Sequence, residues 1–386
     1  MKQIILTALK IVLAGVLVWF VVSQIEVQDR LQLPSAVEGE PGLIFEGEFE
    51  GDWRSDNWVF QGTDADGQEV RHQGPTVEGM TLLPGFFTAM RSLKLSLFAL
   101  GVVLWLVLLL FAALRWRWLL KAAGVPVTYA NSFRLTIIGY FFNNVMLGST
   151  GGDLVRAVMV TRGLETNRMR AALSVIVDRL IGLFALMLIA GAVLTMFWAQ
   201  QRISEVRGLR TVTGAVYLLL ICAIVGAAIY LSRRARKRLG LDWLLSKLPA
   251  QGLIQKLDDA ITIYRDHKGT VASSVLISIP LQVSGILSFW AIGAALGSGL
   301  TVMEDFVIFP VVQTVSALPL APAGWGVGET LYGTFFRSFG SSFTLGVAVS
   351  VLFRLTSQVG FGLIGGLIWV TSRERRQGIS PLEETK

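Results

Sequence analysis

Residues 148–156 read Gly148-Ser-Thr-Gly-Gly-Asp-Leu-Val-Arg156, and residues 319–329 read Pro319-Leu-Ala-Pro-Ala-Gly-Trp-Gly-Val-Gly-Glu329. Both set helix breakers in the middle of strongly apolar sequence. Each carries an acid, Asp153 or Glu329, and each is followed by an apolar run with an arginine inside it. Arg179 lies 26 residues after Asp153, and Arg354 lies 25 residues after Glu329. Interruptions at matching places in two halves of a membrane chain point to a binding site at a repeat interface.

Working outward, the 386 residues are 53% hydrophobic and 16% charged, with the apolar residues in long blocks. That composition excludes a soluble enzyme and describes a polytopic membrane protein. Six segments reach the roughly 20 apolar residues a spanning helix needs: about 4–25, 93–114, 171–198, 211–231, 270–297 and 343–371. The blocks 127–147 and 303–338 are apolar but interrupted. The expected fold class is therefore an all-α polytopic membrane protein, with six transmembrane helices plus two re-entrant broken-helix hairpins as an inverted repeat. A small β-rich extracytoplasmic insertion completes it. The first segment reads as a retained anchor rather than a cleaved signal peptide, because no small-residue cleavage site follows it directly.

The single cysteine, Cys222, lies in the fourth segment, and the two histidines, His72 and His267, lie in expected loops. A histidine metal site or a nucleophile–histidine triad within the membrane is excluded, and no cofactor or metal is expected. No paired-carboxylate arrangement suited to nucleophilic chemistry lies in the spans either, so an enzyme is not expected.

Charge sets the expected orientation. Residues 26–90 hold 13 acids against three arginines, whereas the rest of the chain holds 31 basic and 14 acidic residues. Basic clusters at Arg115, Arg117 and Lys121, at Arg162, Arg168 and Arg170, at 233–238, and at Arg373, Arg375 and Arg376 belong in the cytoplasm by the positive-inside rule. Both termini are then cytoplasmic, residues 26–90 are extracytoplasmic, and both interrupted blocks enter and leave on one side. The basic balance reports orientation and contact with anionic lipid. Nucleic acid is not an expected partner, because the basic residues are strung along span boundaries.

The expected organisation is an anchor over 1–25, an acidic loop or small β module over 26–90, a membrane domain over 91–372 and a cytoplasmic tail over 373–386. Within the membrane domain lie the first hairpin (127–165), an amphipathic cytoplasmic helix (241–268) and the second hairpin (303–338). Segments 43–49 and 57–60 suggest short strands around turn-like Asp64, Asp66 and Gly67. The acids of this loop read as a solvated surface, since no full calcium-loop spacing is present. Trp243, Leu244, Leu248, Ile254, Leu257, Ile261 and Tyr264 recur at helical spacing among Lys247, Lys256, Arg265 and Lys268, as in a helix lying on the membrane surface.

In the hairpins, helices climb over 128–147 and 303–317 and return from Asp153 and Glu329. Broken backbone at membrane depth needs protein or a water-filled cavity around it, so the tips belong in the interior. Asp153 and Glu329 can cap the free N–H groups of the returning helices. They can instead pair with intramembrane arginines or take part in proton movement, and the same N–H groups favour an anion.

Arg179, beside Asp178, and Arg354 sit well inside their spans. An arginine at a helix centre costs roughly 2.5–3.5 kcal/mol on insertion scales and faces a cavity or partner. Asp178 with Arg179, and Glu329 with Arg354, are candidate ion pairs. Arg156, Arg179, Arg354, Gly151, Gly152, Gly324, Gly326 and Gly328 are the candidate headgroup-binding residues, with Asp153, Asp178 and Glu329 balancing charge or coupling. Ser350, Arg354 and Gln358 fall on one helix face, as do Ser274, Ser278 and Gln282. These stripes, with Asn143, Asn144 and Trp325, are expected to line the cavity. Trp105, Trp116, Trp118, Trp198, Trp290 and Trp369 read as interface anchors.

At the same residues the chain resembles the transmembrane region of lysylphosphatidylglycerol synthase, a flippase-like family. The resemblance rests on Asn143-Asn144 leading to residues 148–156, on Val177-Asp178-Arg179-Leu180, on residues 319–329 and on Arg354, and covers about residues 93–371. It implies lipid translocation, with the glycine-rich tips and arginines as the headgroup site. The acidic loop is an unusual insertion for the family. The chain ends 15 residues after the last apolar segment, so a soluble aminoacyl-transferase domain, and with it lipid lysylation, is not expected. The expected function is movement of an anionic lipid or polyprenyl-phosphate-linked carrier across the cytoplasmic membrane. The alternative is an accessory subunit that presents lipid to an envelope glycosyltransferase or lipid synthase, with the acidic outer loop as docking surface.

Overall fold

A chain in hydrocarbon must satisfy its backbone polar groups internally, and a helix does this within one segment. The structure, a computed structural model, describes residues 12, 15–34, 43–63, 69–76, 80–145, 151–162, 164–201, 208–232, 234, 238, 263–317 and 325–371. Helix α1 (Gly15–Gln24) leads into strands β1 (Asp29–Gln32), β2 (Ile44–Gly51), β3 (Trp58–Thr63), β4 (Glu69–Gln73) and β5 (Thr81–Leu83). Then come α2 (Phe86–Arg91), α3 (Leu95–Ala122), α4 (Tyr129–Val145), α5 (Gly151–Thr161), α6 (Arg168–Ala199) and α7 (Leu209–Leu231). The chain continues with α8 (Lys268–Leu296), α9 (Val302–Ser316), α10 (Val327–Ser338), α11 (Phe343–Arg354), a π-helical segment (Leu355–Gly360) and α12 (Phe361–Thr371).

Helices α3, α6, α7, α8 and the continuous run from α11 to α12 are long and apolar enough to cross a membrane, and α1 is a shorter apolar helix. Two series of helices have similar lengths. Helices α3 to α6 span 28, 17, 11 and 32 residues, and the series α8, α9, α10 and α11–α12 spans 29, 15, 12 and 29. The break residues Gly148, Pro319, Pro322 and Gly324 lie outside the described residues, as do 241–262 of the expected amphipathic helix and the tail 373–386.

Contacts divide the chain into two units: 1–101 with 289–304 and 325–353, and 102–288 with 305–324 and 354–386. The first contains the insertion, an antiparallel sheet in the order β4-β3-β2-β1-β5. Its strands alternate as a half-buried sheet should, with Phe45 and Phe49 of β2 inward and Glu46, Glu48 and Glu50 outward. Phe45, Phe49, Trp58 and Phe60 pack with Leu31 and Trp53. Asp29 corrects the expectation that the acids of this loop are all solvated. It is 1% exposed and accepts hydrogen bonds from the N–H groups of Phe49 and Gly85, both at 2.6 Å, and from Thr88 Oγ1 at 3.1 Å. These bonds lace β1, β2 and the start of α2 together.

The module is tied down by Trp53 and Arg54. Trp53 Nε1 donates to Ser92 Oγ at 3.1 Å, while the Arg54 guanidinium donates to the carbonyls of Ser92 and, at 2.9 Å, Ala295. Gly297 beyond α8 holds φ +78° and passes under these two side chains, where a Cβ would lie 2.6 Å from Arg54 Cδ. Elsewhere in this unit, α1 packs Val21 against Phe343 and Val347 of α11.

In the second unit Trp116, Leu120, Leu135, Ile138, Val160 and Val175 join α3, α4, α5 and α6 into one core. Helices α4 and α5 meet at glycines: a Cβ on Gly152 would sit 1.9 Å from the Gly139 carbonyl oxygen. Helix α12 lies on α4 in the same way through Gly365, whose Cβ would reach 2.2 Å from the Ile137 carbonyl oxygen. Two expectations are corrected here. The second apolar segment runs to Ala122 rather than 114, so Arg115 lies within a helix and not in a cytoplasmic loop. The four-residue register through Ser350, Arg354 and Gln358 stops at Arg354, because the π-helical segment that follows makes wider turns.

Candidate functional site

The second unit encloses a cleft of about 290 Å³ lined by α3, α4, α5, α6, α8 and α9. Its charged residues form an alternating ladder. Arg115 Nε lies 2.7 Å from Asp178 Oδ1, and Asp178 Oδ2 lies 3.8 Å from Arg156 Nη2. Arg156 Nη1 lies 3.5 Å from Asp153 Oδ1, and Asp153 Oδ2 lies 2.8 Å from Arg179 Nε. Among the described residues that line it, three arginines stand against two aspartates, an excess of one positive charge.

The expected pairing of Asp178 with Arg179 is not what forms. Consecutive helical residues point about 100° apart, so Asp178 turns to Arg115 and Arg156 while Arg179 turns to Asp153. The sequence reading missed Arg115, which is only 5% exposed. About 30 Å of helix precedes it at 1.5 Å per residue, a depth at which a span could end. The usable signal was the apolar run past it, through Trp116, Trp118, Leu119 and Leu120.

Small residues and polar neighbours hold the ladder in place. Arg115 Nη1 donates to Ser278 Oγ at 2.8 Å, and Ser278 Oγ donates to the Ser274 carbonyl at 2.7 Å. Gln282, next on that face of α8, donates through Nε2 to the Gly182 carbonyl at 3.0 Å. Gly182 leaves room for Arg115, since a Cβ there would lie 3.3 Å from its Nη1. Gly139 likewise clears the stem of Arg156, 2.7 Å from such a Cβ. The Gly152 N–H donates to Asn143 Oδ1 at 2.8 Å, which anchors the start of α5 to α4.

Trp116 and Trp105 correct the interface-anchor reading. Trp116 is fully buried, its Nε1 donates to Ser174 Oγ at 3.0 Å, and the Arg156 guanidinium sits 4.1 Å from its ring centroid. That cation–π contact stabilises a desolvated guanidinium. Trp105 is buried, lines the cleft and meets Tyr140 edge-on at 6.2 Å.

Asp153 and Glu329 occupy the same position, third in a short helix, yet act differently. Glu329, one methylene longer, folds back so that Oε2 accepts the Gly326 N–H at 2.7 Å, and Ser350 Oγ approaches Oε1 at 3.4 Å. This is the reach that suits glutamate at the third position of a helix. The shorter Asp153 instead faces the arginines. Gly151 and Gly152 are buried at the head of α5, and Gly326 and Gly328 are buried at the head of α10, where Gly326 holds φ +83°. Trp325 is 38% exposed, and Ser350 and Arg354 are buried. Glu329, Trp325 and Ser350 belong to the first unit, while Arg354 and Gln358 belong to the second without lining the cleft. Asn144 lies in α4, and Gly324 lies outside the described residues.

Among the described residues no group of three or more His, Cys, Asp or Glu could hold a metal ion. A helical, multi-pass chain with charged side chains gathered inside the bundle defines an integral membrane protein. The profile of the lysylphosphatidylglycerol synthase TM region matches residues 82–365, and the chain belongs to that family. It is 24% identical to a UPF0104 membrane protein of Pyrococcus horikoshii over 292 residues, which cover 71% of this chain and 87% of that one. With a UPF0104 membrane protein of Methanocaldococcus jannaschii it shares 21% identity over 67% of this chain and 80% of the relative. The matched region takes in every residue of the ladder.

Proposed function

We propose that this chain moves an anionic lipid, a phospholipid or a polyprenyl-phosphate-linked carrier, across the cytoplasmic membrane, and that the arginine-ended ladder is where the phosphate passes. The observation that carries this reading is a cleft inside an apolar bundle lined, among the described residues, by three guanidinium groups and two carboxylates. A positive excess held in an apolar bundle draws an anion to it. Arg156 supports the assignment, since its Nε is buried without a hydrogen bond to any described residue. Arg156 also lies in the second turn of α5, which begins at Gly151, and helix N-termini favour phosphate.

In this reading Arg156 and Arg179 bind the phosphate, and Arg115 holds Asp178 as a fixed counterion. The second helix pair, with Glu329 and Arg354, supplies the matching half of an inverted, re-entrant repeat. Both termini are cytoplasmic and the β module faces outward. Reconstituting the full chain with a fluorescent phosphatidylglycerol and following its headgroup across the bilayer tests the proposal. Wild type is expected to move it at least tenfold faster than Arg156→Gln or Arg179→Ala. Equal rates in wild type and both variants would remove the cleft as the headgroup path.

A further inference from the structure

We infer that Asp153 is an exchangeable counterion of the cleft: an entering phosphate monoanion takes its place on Arg179, and binding of that anion is tied to uptake of one proton by Asp153. This rests on the phosphate-site reading above and adds what the site must do with its own carboxylate.

The two carboxylates of the ladder are held unequally. Asp178 is only 6% exposed and bridges Arg115 at 2.7 Å and Arg156 at 3.8 Å, and Arg115 is itself pinned by Ser278. Asp153 has a side chain 20% exposed and stands 3.5 Å from Arg156. Its Oδ2 approaches Arg179 Nε to 2.8 Å, yet it is buried without a hydrogen bond to any described residue, so that contact is charge proximity without alignment. Asp153 is therefore the looser acid. Arg179 is also the most exposed arginine of the ladder, with a side chain 36% exposed against 11% for Arg156 and 7% for Arg115. An anion from the membrane or solvent meets Arg179 first, with Asp153 directly behind it.

A second negative charge beside Asp153 disfavours its ionised form. Because coupling between two binding events is reciprocal, protonating Asp153 strengthens the anion's binding by the same factor. The ion pair between Arg179 and the carboxylate is exchanged for one between Arg179 and phosphate, and the carboxylate takes its proton from solvent. The cleft's net charge of +1 is then carried to +2 by the proton and returned to +1 by the monoanion. The other groups facing Asp153 do not supply this response. Arg156 on α5, Arg179 on α6 and Arg115 on α3 keep their charge at any working pH. Tyr140 on α4 is a phenol with no charge to lose in acid, Asp178 on α6 is locked between two guanidiniums, and α8 and α9 present the uncharged Gln282 and Gln313.

The test is calorimetric titration of the full chain in zwitterionic nanodiscs, in buffers of different ionisation heat, with two probes that do not titrate near neutrality: dimethyl phosphate and a short-chain phosphatidylglycerol. Wild type is expected to take up one proton per anion, with affinity falling about tenfold per pH unit where Asp153 is ionised. Asp153→Asn is expected to bind more tightly, without proton uptake and with a flat pH profile, while Asp153→Glu, which keeps a carboxyl, retains the proton. Uptake with the lipid alone assigns the anion to a headgroup, and uptake with both probes assigns it to phosphate itself. Binding to wild type without a proton, or proton uptake that persists in Asp153→Asn, overturns the inference and leaves the phosphate site standing. No binding of either probe at any pH overturns both.

Discussion

Arg115 and Asp178, 63 residues apart in the chain, meet at 2.7 Å with both side chains less than a tenth exposed. The pair sits where α3 passes α6. It converts an arginine that looks like a helix-end charge into the closed end of a ladder reaching Arg179.

Removing Arg115 takes from Asp178 its nearer cation and leaves it only Arg156, at 3.8 Å. Arg115→Met is expected to destabilise the chain by about 3–5 kcal/mol, the usual cost of leaving a buried charge without its partner. Replacing Asp178 by Leu as well is expected to recover part of that loss, since Arg156 then keeps only Asp153 as counterion. Denaturant unfolding in mixed micelles measures both. A double variant no better than the single one would mean that the pair is not the source of the cost.

The contact between Gly139 and Gly152 leaves no room for a methyl group. Gly152→Ala puts a carbon 1.9 Å from a backbone carbonyl, so α5 must move off α4 at a cost of about 1–3 kcal/mol. The start of α5 carries Asp153 and Arg156, and lipid movement is expected to fall with stability. Gly214→Ala in α7, where nothing lies within 4 Å of the added carbon, is expected to leave both unchanged. Melting temperature and transport rate in one preparation check the contrast.

Outside the membrane, the hold of Arg54 on the β module depends on Asp52. Burial raises the Asp52 carboxyl, but hydrogen bonds and charge from Arg54, with Lys94, outweigh it and keep the group below its ordinary value of 3.8. A depressed carboxyl contributes stability that is complete above its unfolded value and is lost as pH falls through the folded one. Protease cleavage of residues 52–57 is therefore expected to rise below about pH 3.8 in wild type. In Asp52→Asn it is expected to be raised already at neutral pH and to change little on acidification. Identical profiles would show that this ion pair does not hold the module.

Much of the architecture is legible locally. Helices expected over 128–147 and 303–317 are seen over Tyr129–Val145 and Val302–Ser316, because a long apolar run forms its hydrogen bonds within itself. The strands around Phe45 and Trp58 follow from alternation in the same way. Arg115 was misread because charge at the end of an apolar block looks the same whether it reaches water or a buried aspartate. Trp116 was misread because an aromatic ring near a span end suits both a lipid interface and a guanidinium.

The sequence alone determined the apolar helices and the small sheet, since backbone hydrogen bonding and the exclusion of polar groups from hydrocarbon act over a few turns. Only the tertiary structure decided which aspartate meets which arginine. Successive side chains on a helix diverge by about 100°, so Asp178 and Arg179, neighbours in the chain, face different partners, and those partners come from α3 and α5.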